Sequence, residues 1–218
     1  MAGPGLAQSP VHAAGSQPAP AAPGARFAIV LDAAHGGDEA GGKVGNQTEK
    51  DLTLALSVRL RSLLGARGFQ VVTTRESDAA VEPDRRAEIA NHANAQACLS
   101  LHATESGAGV HLFVSSLAPA QQGRFPAWKT AQAGSVTRSL ALAGVLNAGL
   151  LHEGLPVTLG RMSLGAVDSM TCPAVAVEIA PDRSQTPPAM PGDEAYQARI
   201  AEALAAALLE WRAEVRQQ

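Results

Sequence analysis

The chain has 218 residues, of which 46% are hydrophobic and 3% are aromatic, so it is long enough and apolar enough to form a folded domain. Its formal net charge of −3 gives no basic surface for nucleic acid or an anionic membrane, and no apolar run approaches the roughly 20 residues that span a bilayer. Two cysteines, Cys98 and Cys172, are too few for a disulfide framework or a cysteine-rich zinc site.

Residues 1–26 differ in composition from the rest of the chain. They consist mainly of Ala, Pro, Gly and Ser, and Arg26 carries the only charged side chain. Such a segment buries too little apolar surface to offset the entropy lost on ordering, so we expect a flexible leader. It also lacks the basic start and continuous apolar stretch of a signal peptide. We expect residues 27–218 to form a single domain.

From residue 27 onward, short apolar runs alternate with segments of helical periodicity. Strands are predicted over residues 27–31, 69–74, 97–102, 110–115, 162–167 and 174–179. Helices are predicted over about residues 49–65, 83–94, 135–151 and 193–212. This alternation predicts an α/β fold, with an open, mostly parallel twisted sheet of about six strands and helices on both faces.

Four side chains suited to chemistry follow the predicted strands. His35 comes just after the first strand, Glu49 opens the next helix, His102 closes the third strand and Glu178 closes the last. Ligands of open α/β sheets bind beyond the carboxyl ends of the strands. We therefore expect these four side chains to meet at one edge of the sheet.

Two imidazoles and one carboxylate form the ligand set of a catalytic zinc, with a fourth position open to water. A second carboxylate that does not bind the metal can move protons, so the four groups suit metal-assisted hydrolysis of an amide. Each residue also has a structural explanation. His35 could cap a turn, His102 could be a core histidine, and the helix dipole favours Glu49 at its position. Glu178 is harder to explain structurally, because a buried carboxylate needs a nearby cation.

Six short segments occur in the order typical of one enzyme family. They read DAAHGG at 32–37, EKD at 49–51, TTRESD at 73–78, RAEIAN at 86–91, SLHAT at 100–104 and PAVAVE at 173–178. Together they resemble the zinc-dependent N-acetylmuramoyl-L-alanine amidases that cleave bacterial peptidoglycan, and the resemblance covers about residues 27–212. The sequence departs from the family pattern at residues 33–34, at Thr104 and at residues 179–181. The last of these is a stretch where we expect substrate contacts.

The resemblance implies that His35, Glu49 and His102 bind one zinc ion and that Glu178 is the catalytic carboxylate. It implies a peptidoglycan or muropeptide substrate, cleaved at the amide between N-acetylmuramic acid and L-alanine, and a periplasmic or secreted location. We expect a monomer. The alternatives are a zinc carboxypeptidase or γ-glutamyl peptidase acting on stem peptides, and a non-catalytic cell-wall-binding module.

Other polar residues have less specific interpretations. Arg75 and Arg86 match positions of the family, but arginines at such places are usually structural ion-pair partners. His111 lies inside a strand and points either into the core or toward the cleft. If His102 and Glu178 are level in neighbouring strands, Cys98 lies opposite residue 174 rather than Cys172, so we expect free thiols.

Overall fold

The chain is described by a computed structural model that covers Met1 and residues 27–121 and 125–217. Apart from Met1, the predicted leader lies outside the described residues. The strands of the described ranges are β1 Ala28–Ala33, β2 Lys43–Val44, β3 Gln47–Thr48, β4 Gln70–Thr73, β5 Ala97–Ala103, β6 Val110–Ser115, β7 Val157–Met162 and β8 Ala174–Ile179. The α-helices are α1 Glu49–Ala66, α2 Pro83–His92, α3 Val136–His152, α4 Gly165–Asp168 and α5 Glu194–Gln217. None of the helices in these ranges has the length and apolar character needed to cross a membrane.

Six of these strands form one sheet in the order β4-β1-β5-β8-β6-β7, while β2 and β3 form a small separate hairpin. Strands β4, β1, β5 and β8 run parallel to one another, whereas β6 is antiparallel to β8 and parallel to β7. The predicted α/β fold with a mostly parallel six-stranded sheet is thereby confirmed. The one antiparallel junction, between β8 and β6, matters for the functional site.

One face of the sheet is covered by α1, α3 and α5. Alternate residues of β1, β5 and β8, such as Leu31, Leu101 and Val177, point to this face and are fully buried. The helices contribute residues spaced by four, which places them on one helix face. They include Leu56, Leu60 and Leu64 of α1 and Leu142, Leu146 and Leu150 of α3. This layer is the main hydrophobic core.

The opposite face carries smaller residues and a thinner cover. Helices α2 and α4 pack over Val30, Cys98 and Ala174, near the amino ends of the strands. Toward the carboxyl ends, Ser100 and Ala176 line a cavity between the two helices. Short side chains on the sheet therefore leave an open cleft on this face, beside the strand ends where the candidate residues lie.

The predicted strand at 162–167 is wrong. The chain forms β7 at Val157–Met162 and then the short helix α4. Strand β7 is an edge strand that exposes Leu159, so it lacks the continuous apolar run by which buried strands are recognised. Beyond it, the carboxylate of Asp168 accepts hydrogen bonds from the backbone of Leu164 and the hydroxyl of Ser163, which favours a helical turn.

The expectation of free thiols is also wrong, because Cys98 and Cys172 form a disulfide. The register behind that expectation is correct, since Cys98 pairs with Ala174. Two residues out of register on straight parallel strands would separate the two Cα atoms by about 8 Å. The observed separation is 6.1 Å, within disulfide range, because Cys172 lies at a bend in the chain before β8 begins.

Candidate metal centre and catalytic cleft

The loop after β1, the first turn of α1 and the end of β5 bring His35, Glu49 and His102 together. The Nε2 atom of His35 lies 3.0 Å from Oε2 of Glu49, and Nδ1 of His102 lies 2.9 Å from Oε1 of the same carboxylate. One ligand-type atom from each residue lies within 4.8 Å of the others. The ligand atoms of a tetrahedral zinc are separated by about 3.4 Å, so this donor set fits a single ion of that size.

Glu49 is held as a carboxylate. Burial acts to raise its pKa, but hydrogen bonds from His102 and the Gly42 backbone, with the charges of the two histidines, outweigh burial and lower the pKa to about 2. A third hydrogen bond comes from the backbone N–H of Ala103 at 3.3 Å. The centre therefore offers one permanent negative charge and two imidazole nitrogens, which favours a divalent cation.

The backbone around His35 is shaped to present its ring. His35 has φ of 61°, a left-handed conformation that costs free energy in a non-glycine residue and occurs often at functional sites. Gly41 also has positive φ, and a Cβ there would lie 2.5 Å from Cδ2 of His35 and 2.7 Å from Oε2 of Glu49. Only a glycine fits at 41, because any side chain would occupy the space of the metal-binding groups.

Two buried arginines hold the loop that carries His35 by donating hydrogen bonds to its backbone carbonyls. Arg86 donates to the carbonyl of His35 at 2.7 Å and to Oδ1 of Asp32 at 2.7 Å. Arg75 donates to the carbonyls of Ala33 at 2.9 Å and Ala34 at 3.0 Å. The arginines are thus structural, as expected, but Arg75 binds backbone carbonyls rather than one acidic partner. Sequence reasoning missed their direct hold on the loop that carries His35.

Glu178 lies beside the candidate ligands but outside the cluster that they form. It pairs in register with His102 on the neighbouring parallel strand, so the two side chains emerge at the same level and on the same face of the sheet. Glu178 is 30% exposed, and its Oε2 atom lies 3.0 Å from Nδ1 of His111. The structure thus brings all four predicted residues to one edge of the sheet. It also settles the open question about His111, which faces this edge rather than the core.

A cleft with a cavity of about 270 Å³ leads to the candidate ligands. Ser100 and Ala176 of the sheet line this cavity, and so do His35 and His102. Its walls come from the start of α2 and from the segment around α4, which sequence reasoning had assigned to a strand. The cleft is therefore a place where an extended substrate can reach the candidate metal centre.

The stretch at residues 179–181, where substrate contacts are expected, is buried in the structure. Ile179, Ala180 and Pro181 are buried, and the carbonyl of Ala180 accepts a hydrogen bond from the hydroxyl of Tyr196. These residues anchor the end of β8 to α5 and have no surface to offer a ligand. The departure of these residues from the family pattern therefore affects how the end of β8 packs against α5.

Replacing Glu49 by glutamine should remove a pH-dependent part of the stability of the metal-free protein. The Glu49 pKa of about 2 lies below the ordinary value of 4.5, so between these two pH values the unfolded state binds more protons. The stabilisation by ionised Glu49 is thus complete above about pH 4.5 and is lost as the pH falls toward 2. Urea unfolding of both metal-free proteins across this range should show their difference in unfolding free energy shrinking. A difference that stays constant down to pH 2 would contradict the assignment, and exposed Glu210→Gln serves as the control.

One family model matches most of the folded part of the chain, and several known proteins are similar to shorter segments of it. The family model described as N-acetylmuramoyl-L-alanine amidase matches residues 29–210. A germination-specific N-acetylmuramoyl-L-alanine amidase of Bacillus subtilis is 34% identical over 88 residues, which are 34% of this chain and 37% of that protein. The amidase AmiA of Escherichia coli is 33% identical over 107 residues, 46% of this chain and 37% of that protein. The matched segments thus span little more than a third of the length of these curated relatives.

Among solved structures, the catalytic domain of the amidase CwlV from Bacillus (Paenibacillus) polymyxa var. colistinus superposes with a TM-score of 0.67. It is 25% identical, and the similarity covers 84% of this chain and 97% of that one. The shared architecture therefore extends over essentially the whole of that catalytic domain.

Proposed function

Because this chain belongs to the N-acetylmuramoyl-L-alanine amidase family, as its motifs had indicated, we propose that it hydrolyses the amide between N-acetylmuramic acid and L-alanine in peptidoglycan stem peptides. The observation that carries the proposal is the convergence of His35, Glu49 and His102 around one point, with Glu178 level with His102 but outside the ligand set. Three ligands with a separate carboxylate match what metal-assisted amide hydrolysis requires.

One zinc ion per chain is the proposed cofactor, held by His35, Glu49 and His102. When bound, zinc supplies Lewis acidity and makes water a competent nucleophile near neutral pH. The donor set supports zinc over calcium or magnesium, since those ions take oxygen ligands almost exclusively. The lowered pKa of Glu49 keeps its carboxylate ionised at neutral pH, which supports the binding of a divalent cation.

Glu178 is the proposed general base and general acid. Its carboxylate accepts a proton from the attacking water and then delivers it to the leaving amide nitrogen, so that the free amino group of L-alanine is released. The 30% exposure of its side chain leaves it accessible to substrate. The cleft between α2 and α4 is proposed to receive the substrate chain and to hold the scissile bond near this carboxylate.

The proposed location is outside the cytoplasm, where peptidoglycan is found. The disulfide between Cys98 and Cys172 supports this, since such bonds persist in oxidising compartments and are rare in the cytosol. A monomer remains part of the proposal, because the candidate site is assembled from residues of one chain.

The test is mass spectrometry of a defined muropeptide after incubation with the zinc-loaded protein. The proposal expects a free stem peptide that begins with L-alanine, together with a muramyl sugar that has lost its peptide. Loss of a terminal residue, or cleavage after the γ-linked glutamate, would establish a peptidase instead. An unchanged substrate would leave the non-catalytic cell-wall-binding module as the remaining alternative.

The metal assignment is tested with His102→Ala against a matched histidine variant. His102→Ala should lose both bound zinc, measured by mass spectrometry of the metal, and activity. His152 lies at the exposed end of α3, so the His152→Ala variant should keep both its bound zinc and its activity. Equal zinc content in the two variants would contradict the proposed ligand set.

A further inference from the structure

His111 makes the closest polar contact of the proposed catalytic carboxylate, and nothing in the proposed reaction uses it. It lies on β6, directly opposite Glu178 at the antiparallel junction with β8. Opposed residues of antiparallel strands have their Cβ atoms about 5 Å apart, close enough for their side chains to touch. The two meet with Nδ1 of His111 at 3.0 Å from Oε2 of Glu178.

The His111 ring has little room to turn. A Cβ added to Gly107, which has φ of 80°, would lie 2.3 Å from Cε1 and 2.7 Å from Nε2 of the ring, so the backbone of this loop closes over it. The loop is fixed in turn by Arg183, whose Nε donates to the carbonyl of Gly107 at 3.0 Å. On the other side the ring meets the edge of Phe113, with centroids 6.1 Å apart. The side chain of His111 is only 16% exposed.

We propose that His111 is a positioning residue that fixes the Glu178 carboxylate for proton transfer; this inference rests on the proposed function. With Nδ1 protonated, His111 donates a hydrogen bond to Oε2 and thereby stops rotation of the carboxylate. Oε1 then remains as the oxygen that accepts and returns the proton. Because the ring is confined by Gly107 and Phe113, this orientation exists before substrate binds.

Two substitutions separate this role from simple packing. His111→Asn places an amide N–H where Nδ1–H stood, whereas His111→Leu fills similar space without a donor. For zinc-loaded protein, we expect His111→Leu to lower kcat by about 10- to 100-fold, the usual cost of removing a partner that orients a functional group. Its KM should change less than about twofold, and His111→Asn should recover most of the kcat. Zinc content should match the wild type in both variants.

His152→Leu is the matched control, because His152 is exposed and belongs neither to the candidate ligand set nor to the lining of the cleft. An unchanged kcat in His111→Leu, or an equal loss in His111→Asn, would overturn the positioning role. A lower zinc content in either variant would overturn it as well, by showing an effect through the metal centre.

A second measurement does not depend on turnover. Nitrogen–proton correlation spectra of the histidine side chains should show His111 protonated at Nδ1, and this signal should shift in Glu178→Ala. A His111 protonated only at Nε2 would overturn the inference. Should the wild type fail to cleave the muropeptide, the proposed function fails, while the spectra still decide whether His111 donates to Glu178.

Discussion

Glu178→Gln is expected to lower kcat for muropeptide cleavage by about 10²- to 10⁴-fold, the usual contribution of a positioned general acid–base. Glutamine has nearly the same shape and its amide oxygen can still accept the hydrogen bond from His111, but it cannot take up a proton at neutral pH. Zinc content should stay at the wild-type level, because Glu178 is not one of the three residues whose ligand atoms converge.

The measurements are steady-state kinetics on a defined muropeptide and metal analysis of the same samples. Glu214→Gln on the exposed face of α5 is the matched control and should leave both unchanged. Full activity in Glu178→Gln would refute the role of Glu178. Loss of zinc together with activity would instead make Glu178 a part of the metal centre.

The location of the site could be predicted because it depends on a general property of parallel sheets. His35, His102 and Glu178 each follow an apolar run, and the carboxyl ends of parallel strands meet at one edge whatever the order of the strands. The prediction needed only that β1, β5 and β8 be parallel, which they are. The position of Glu49 near this edge could be predicted because Glu49 opens the helix that follows the first strand.

The contact between His111 and Glu178 could not be predicted from the sequence. Whether its side chain faces Glu178 depends on the neighbour and the direction of β6, and β6 is antiparallel to β8 in an otherwise mostly parallel sheet. A shift of one residue in register would have turned His111 to the opposite face. Such a register is set by packing between distant segments, which periodicity within β6 does not record.

The disulfide could not be predicted for a similar reason. The register of β5 against β8 was correct, and straight strands would have kept Cys98 and Cys172 apart. The bend at Cys172 is a local feature just outside β8, and it brings the two Cα atoms to 6.1 Å. Strand alternation describes residues within strands, so it gives no information about the residue before one begins.

Arg86 shows how strongly a residue with an ordinary appearance in the sequence can support the site. Its side chain is 6% exposed and pairs with Asp32, which is 3% exposed, at 2.7 Å. Asp32 also accepts hydrogen bonds from the hydroxyls of Thr74 at 2.8 Å and Ser100 at 2.9 Å. The same guanidinium donates to the carbonyl of His35. One side chain therefore neutralises a buried carboxylate and holds the loop of a candidate metal ligand.

Arg86→Met should lower the free energy of unfolding by about 3–5 kcal/mol, because it leaves the buried Asp32 carboxylate without its ion-pair partner. Urea unfolding of the metal-free protein measures this, with Arg85→Met as the matched control. Arg85 is 63% exposed and pairs with an exposed glutamate, so its loss should change stability by less than about 1 kcal/mol.

Adding Asp32→Asn to Arg86→Met tests whether the uncompensated charge of Asp32 causes the loss of stability. Asparagine is nearly isosteric with aspartate and carries no charge, so the double variant should be more stable than Arg86→Met alone. Both variants should bind zinc more weakly than the wild type, because the carbonyl of His35 has lost its donor in each. A double variant no more stable than Arg86→Met would show that lost packing and carbonyl contacts, rather than an uncompensated charge, dominate the effect.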